Sequence, residues 1–240
     1  MRSTLAVMRR ELLSAFNSPI AYVVIMFFLV FTAVWFFFIQ QFFAQDVASL
    51  RSYFAVFPTV FVLLIPALTM RSWAEERKLG TDELLLTFPI SDGALVAGKF
   101  ASGLVLLLLI LILTLPIPFT VVQFGSFERG QIVGQYIGVV LLGSAGLAVG
   151  YFVSSVSTNQ ITAFLATVFV LLVFTFIGAV PKFLSMPEWL SGIFNYLSID
   201  YHFESFRKGL LDTRDIAYFV LVSFLFLFGN TKVLVLSRWS

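Results

Sequence analysis

Three short stretches place residue types where they could do chemistry. Gly93-Ala94-Leu95-Val96-Ala97-Gly98-Lys99 matches G-x-x-x-x-G-K, the glycine cradle and lysine of a phosphate loop. Such a loop then needs Ser or Thr to hold magnesium, and Phe100 stands there. It should also leave a buried strand and open a soluble helix, whereas this one runs into a long apolar segment. The match reads as coincidence and the small residues as a close helix approach, so the chain has no nucleotide site of its own. Gly143-Ser144-Ala145-Gly146 puts its serine one position early for a G-x-S-G nucleophile, and no apolar segment supplies a histidine base. His202, the single histidine, lies near Glu204. One imidazole with scattered carboxylates is a poor metal set, and His202 reads as a solvated loop residue. There is no H-E-x-x-H, and no aspartate falls inside an expected span.

The fourth stretch, 71–99, is polar between two greasy flanks. Positions 72–79 suit a short helix bearing Glu75, Glu76, Arg77 and Lys78, which Gly80 ends in a left-handed cap. Thr81 can cap a second helix with Asp82 and Glu83 in its first turn. Leu84, Leu85, Leu86 and Phe88 give that helix an apolar side, and Pro89 stops it. An acidic shoulder beside an apolar edge fits a groove on a partner in water. The same residues also suit a solvated linker with two ordinary caps.

The elements that position this stretch are membrane helices. The chain has 240 residues, 60% hydrophobic and 12% charged, with 30 Phe and no Cys, and a mean hydropathy of +0.99. Soluble domains are about 45–50% apolar and about 25% charged. A net charge of +2 makes no case for nucleic acid. Apolar runs at 20–40, 53–70, 100–124, 132–153, 161–180 and 216–236 predict six transmembrane helices. The first would reach about 31 Å, one hydrocarbon core. Residues 1–19 precede them with Leu5, Met8, Leu12 and Phe16 on one face, which predicts an amphipathic interfacial helix, or else a simple basic flank. Pro58 and Pro66 read as kinks in the second span. In the fourth, Gly134/Gly138 and Gly146/Gly150 are GxxxG pairs, serving either a subunit interface or packing within one subunit. Trp35, Phe36 to Phe38 and Phe42–Phe43 read as lipid-facing filler or the lining of a lipid-like path. Between spans five and six, the pieces around Pro181 and Pro187 are too short to cross and predict a re-entrant or interfacial segment. The expected fold is thus an all-α integral membrane protein, a single transmembrane domain over 1–240.

With both termini in the cytoplasm, the inner side holds nine Lys/Arg and the outer side six, the sense of the positive-inside rule. Lys99 counts here as an inner flank. With Lys232 counted likewise at the inner end of the last span, no charged residue falls between the flanks of any span. Carriers coupled to protons or ions keep such groups near the midplane, so the energy must come from elsewhere, through a soluble partner.

Arg71-Ser72-Trp73-Ala74-Glu75-Glu76-Arg77-Lys78-Leu79-Gly80-Thr81-Asp82-Glu83-Leu84-Leu85-Leu86-Thr87-Phe88-Pro89-Ile90-Ser91 resembles the signature of ABC-2 type transporter permeases. The order of amphipathic helix, six spans and broken segment before the last span resembles that family too. Phe206-Arg207-Lys208-Gly209-Leu210-Leu211-Asp212-Thr213-Arg214-Asp215 is similar to its gliding-motility-associated branch. The resemblance implies a half-transporter in the cytoplasmic (inner) membrane, surrounded by membrane lipid. Two permeases, identical or different, would assemble with two cytoplasmic ABC ATPase subunits, which bring the ATP and magnesium. Positions 1–19 would be the elbow helix and 71–99 the cytoplasmic coupling region, with Glu75, Glu76, Arg77, Lys78, Gly80, Thr81, Asp82, Glu83 and Leu84 meeting the ATPase. The outer loops are short, so any large external domain would come from an extracytoplasmic partner. A non-transporting scaffold of an ATPase-driven envelope or motility machine is the other function these features allow.

Overall fold

The structure, a computed structural model, describes residues 2–42, 49–81, 90–124, 129–184 and 187–237. Every regular element among them is a helix. Six helical stretches are long and apolar enough to cross a membrane: Pro19–Ile39, Arg51–Thr69, Asp92–Val121, Gly130–Val156, Gln160–Ala179 and Thr213–Leu236. The third starts earlier than its apolar run, because Asp92 lies in the favourable first turn and Ser91 provides an extended entry. Lys99 is therefore inside a spanning helix and not beside one.

In chain order, α1 is Arg2–Phe16 and α2 is Pro19–Val34, continued by a π-helical turn, Trp35–Ile39. The second span is α3 (Arg51–Phe54) and α4 (Phe57–Thr69); the connector opens with α5 (Ala74–Lys78). The third is α6 (Asp92–Thr114) and α7 (Pro116–Val121), and the fourth and fifth are α8 (Arg129–Val156) and α9 (Gln160–Phe176). The short helices α10 (Val180–Leu184), α11 (Glu188–Leu197) and α12 (Ile199–Arg207) precede α13 (Thr213–Ser237). Pro58 falls in the first turn of α4, where its missing N–H leaves nothing unsatisfied, and only Pro66 lies in the helix interior.

The fourth span sits at the centre, 72% buried over its apolar window against 17% for the first and sixth. Its glycines make that position available. A Cβ on Gly138 would come within 2.3 Å of Phe206 Cβ, and one on Gly150 within 2.3 Å of Thr69 Oγ1. The small residues thus seat α12 and α4 within the subunit, which decides between the two packing readings at these positions. Lipid tails match side chains in hydrophobicity, so close dispersion contact and interhelical polar contacts hold such helices together.

Two polar ends cap the bundle. At one, α1, α5 and the last turn of α8 meet: the Trp73 and Ala74 N–H groups donate to Ser154 Oγ at 3.2 and 3.3 Å. At the other, Arg51 donates to Glu204 Oε1 at 2.7 Å, and Gln135 donates to the Arg207 carbonyl at 2.9 Å. Consecutive spans alternate between these ends.

Two further sequence expectations need correction. His202 is not solvated but 2% exposed. Its Nδ1 lies 2.7 Å from Asp215 Oδ1, its Nε2 donates to the Tyr196 carbonyl at 3.0 Å, and its ring stacks on Tyr218 at 3.8 Å. The amphipathic α12 turns this residue toward α13, and Asp215 lies in the first turn of that spanning helix. Phe36 is not filler either. It is fully buried, edge-on to Tyr53 at 5.4 Å, an arrangement rings favour, while Phe38 stays 75% exposed.

Replacing Gly138 by Ala should destabilise the protein by about 1–3 kcal/mol, because Phe206 Cβ cannot retreat. Gly93→Ala, with open space around it, should leave stability equal or slightly higher. Thermal melting of both variants in the same detergent tests the contrast.

Candidate functional site

The sequence-predicted contact region is built around Lys99. On α6, Leu95, Lys99, Ser102 and Leu106 recur at helical spacing and are buried. Gly98 precedes Lys99, and a Cβ there would fall 2.7 Å from Val7 Cβ and 2.9 Å from the Thr4 carbonyl oxygen. The missing side chain lets α1 lie against α6, which brings Glu11 Oε1 to 3.1 Å from Lys99 Nζ.

The connector closes the other side. Lys99 Nζ donates to the Ser72 carbonyl at 2.6 Å and stands 4.5 Å above the Trp73 ring. Glu76 Oε2 lies 3.0 Å away, an ion contact without the alignment of a hydrogen bond. Arg10 pairs with Glu76 and also with Glu11, the latter at 3.2 Å. Two cations and two carboxylates thus cancel within one cluster, and Lys99 is 1% exposed. Burial pushes the Glu76 carboxyl above the usual carboxylate range, against the downward pull of Lys99.

Local sequence explains α5. Glu75 and Glu76 occupy its first turn, Arg77 and Lys78 its last, each sign matched to the helix dipole. Leu79 N–H returns to the Glu75 carbonyl at 3.0 Å, and Gly80 ends the helix at φ +66°, the left-handed cap expected of it. Arg77 Nη1 donates to the Ser157 carbonyl at 3.1 Å, which ties α5 to the turn after α8.

The expected contact residues therefore divide. Lys78, Leu79 and Gly80 are exposed, Leu79 by 67%. Glu75 is partly exposed, 3.6 Å from Arg71. Glu76 points inward to Lys99, and Arg77 is spent on Ser157. Thr81 Oγ1 donates to the Glu76 carbonyl at 3.2 Å. Asp82, Glu83 and Leu84, with the rest of the expected second helix, lie outside the described residues. Reading Lys99 as a flank missed its partners Glu11 and Trp73. The signal was its place in the Leu95–Lys99–Ser102–Leu106 period. With its ammonium enclosed by Glu11, Glu76 and Ser72, Lys99 is not presented to a phosphate. The arrangement is a clamp: it fastens α1, α5 and α6 into one body.

Lys99→Met should destabilise by up to about 3–5 kcal/mol, since it leaves buried carboxylates without their cation. The deficit should depend on pH. A carboxyl whose folded pKa is raised favours folding when protonated, and that advantage is lost as pH rises through the folded value. Without Lys99 the Glu76 value rises further, so the melting deficit of Lys99→Met should shrink from pH 8 toward pH 5. An equal deficit across that range would contradict the clamp.

The family model described as ABC-2 family transporter protein matches residues 39–231, about four-fifths of the chain. The match starts at the end of the first span, takes in the connector and the second to fifth spans, and ends within the sixth. Among curated proteins, none matches the chain. Six membrane-crossing helices and this match agree with the resemblance of the Arg71 to Ser91 signature. The chain belongs to the ABC-2 family of transporter proteins, as a membrane-spanning permease component.

Proposed function

We propose that this permease subunit is worked from the cytosol by a separate ABC ATPase that seats on α5 and the segment following it. Two ATPase subunits and two permease subunits form the working unit, in the inner membrane, with both termini cytoplasmic. The sense of the charge bias, nine basic residues against six, supports that orientation. One observation carries the reading: α5 is fastened to the bundle on its inner side and offers Lys78 and Leu79 on its outer side. The fastenings reach α6 through Lys99 and Glu76, α8 through Ser154, and the turn after α8 through Ser157. A load applied at Leu79 would be transmitted to the third and fourth spans at once.

ATP closes the ATPase pair, the pair displaces α5, and the spans rearrange to pass substrate. Such coupling requires the ATPase to bind the two permease states with different free energy. Nothing catalytic is asked of this chain.

Reversing Glu76 would break the Lys99 clamp, so it is a poor probe of docking. Leu79→Asp with Lys78→Glu alters two exposed side chains that take no part in the clamp. The double variant should keep the wild-type melting temperature yet retain its ATPase about tenfold less in co-purification, with ATP-driven transport in vesicles lost to match. Wild-type retention and transport would remove α5 from the contact. Retention of the ATPase by the wild type without any ATP-driven substrate movement would favour a scaffold.

A further inference from the structure

Beside the clamp lies a cavity of ≈ 590 Å³, walled by α1, the start of α2, the end of α4, α5, α6 and Tyr151 of α8. That volume is within the range of about 300–1,000 Å³ typical of small-molecule sites. Its lining is mixed: Val24, Leu68 and Leu106 supply apolar surface, and Arg71 and Glu75 line it together with Arg10, Glu11 and Glu76 of the clamp. We propose that this cavity binds an aminophospholipid, its phosphate on Arg71, its ammonium on Glu75 and the start of an acyl chain along the apolar wall.

The charges select the headgroup. Arg10, Glu11, Glu76 and Lys99 compensate one another within the clamp. Arg71 and Glu75 do not take part in it. Their contact is loose, Nε to Oε2 at 3.6 Å, with both side chains 37% exposed. Arg71 Nη1 donates to Ser18 Oγ at 2.7 Å, but Nε is sealed from solvent without a hydrogen-bond partner, as is Ser72 Oγ in the same wall. Those two atoms are enclosed by protein, so the exposed remainder of the Arg71 side chain is the part open to the cavity. A guanidinium fits phosphate through paired N–H donors. Glu75, one turn on, would repel a purely anionic head and accept hydrogen bonds from a primary ammonium. A quaternary ammonium, lacking N–H, cannot supply them. The remaining acyl length would run outside along Val23, Phe27 and Val30, which are exposed on the first span.

Leu79, the docking probe, borders this cavity, so the site is tested instead on Arg71, Glu75 and Ala67. The full-length protein, purified in a maltoside detergent, is titrated with dioleoyl phosphatidylethanolamine, phosphatidylglycerol or phosphatidylcholine and read by native mass spectrometry. Soluble phosphoethanolamine forms a fourth arm. Phosphatidylethanolamine should bind about tenfold more tightly than the other two lipids. Arg71→Gln should lose all of them, and Glu75→Gln should erase the preference for the amine. Ala67→Phe, which fills the apolar wall without touching a charge, should cut lipid binding at an unchanged melting temperature, so the inference stays testable if Arg71→Gln fails to fold. Equal binding of phosphatidylglycerol, unaltered binding by the Glu75 or Ala67 variants, or full displacement by equimolar soluble phosphoethanolamine would each overturn it.

Discussion

The buried ammonium of Lys99 sets the terms on which one whole end of this bundle is organised. Moving such an ion out of water costs several kcal/mol even after relaxation, and the cost is offset only where opposite charges and hydrogen-bond acceptors are held in place around it. Glu11, Glu76, the Ser72 carbonyl and the Trp73 ring meet that demand, and they come from α1 and the connector. Neither element can slide along α6 without stripping Lys99 of a partner. The ion therefore works as a register pin, a role for which buried charges are better suited than for raw stability. Gly98 is its steric counterpart, since α1 reaches Lys99 only because no Cβ intervenes.

The opposite end meets the same demand by other means. There the buried polar groups are His202 and Asp215, joined to each other and covered by Tyr218. Glu204 gathers Arg51, Arg207 and Lys208, linking the second span to α12. Between the two ends the fourth span is glued by shape. Dispersion needs close approach, and the glycines of α8 permit it toward α4, α6 and α12. Pinned at both ends and packed tightly between, the second and fourth spans form a stiff centre. The first, fifth and sixth keep most of their surface for lipid or for a second subunit.

This division suits a permease component of an ABC-2 transporter. On the function proposed above, contact at the surface of such a component is converted into displacement inside. Stiffness between α5 and the inner spans serves that conversion, and it follows from interactions made on one side of a five-residue helix. Glu75 and Glu76 illustrate the economy. Adjacent on α5 they differ by about 100° around the axis, so one lies beside Arg71 while the other is drawn toward Lys99.

The sequence by itself determined the six spans, the α5 helix with its Gly80 cap, the alternation of polar ends and the family. All of these rest on local composition, helical period or a contiguous motif, which a single pass along the chain can read. Only the tertiary structure decided which charges turn inward. Lys99 meets Glu11 across 88 positions, and His202 meets Asp215 through two different helices. It likewise decided that the fourth-span glycines receive neighbours from their own subunit, and that Phe36 joins the core while Phe38 faces out. Burial of a charge depends on partners brought together by the packing of separate helices, and nothing in the local pattern around Lys99 or His202 records where those partners lie.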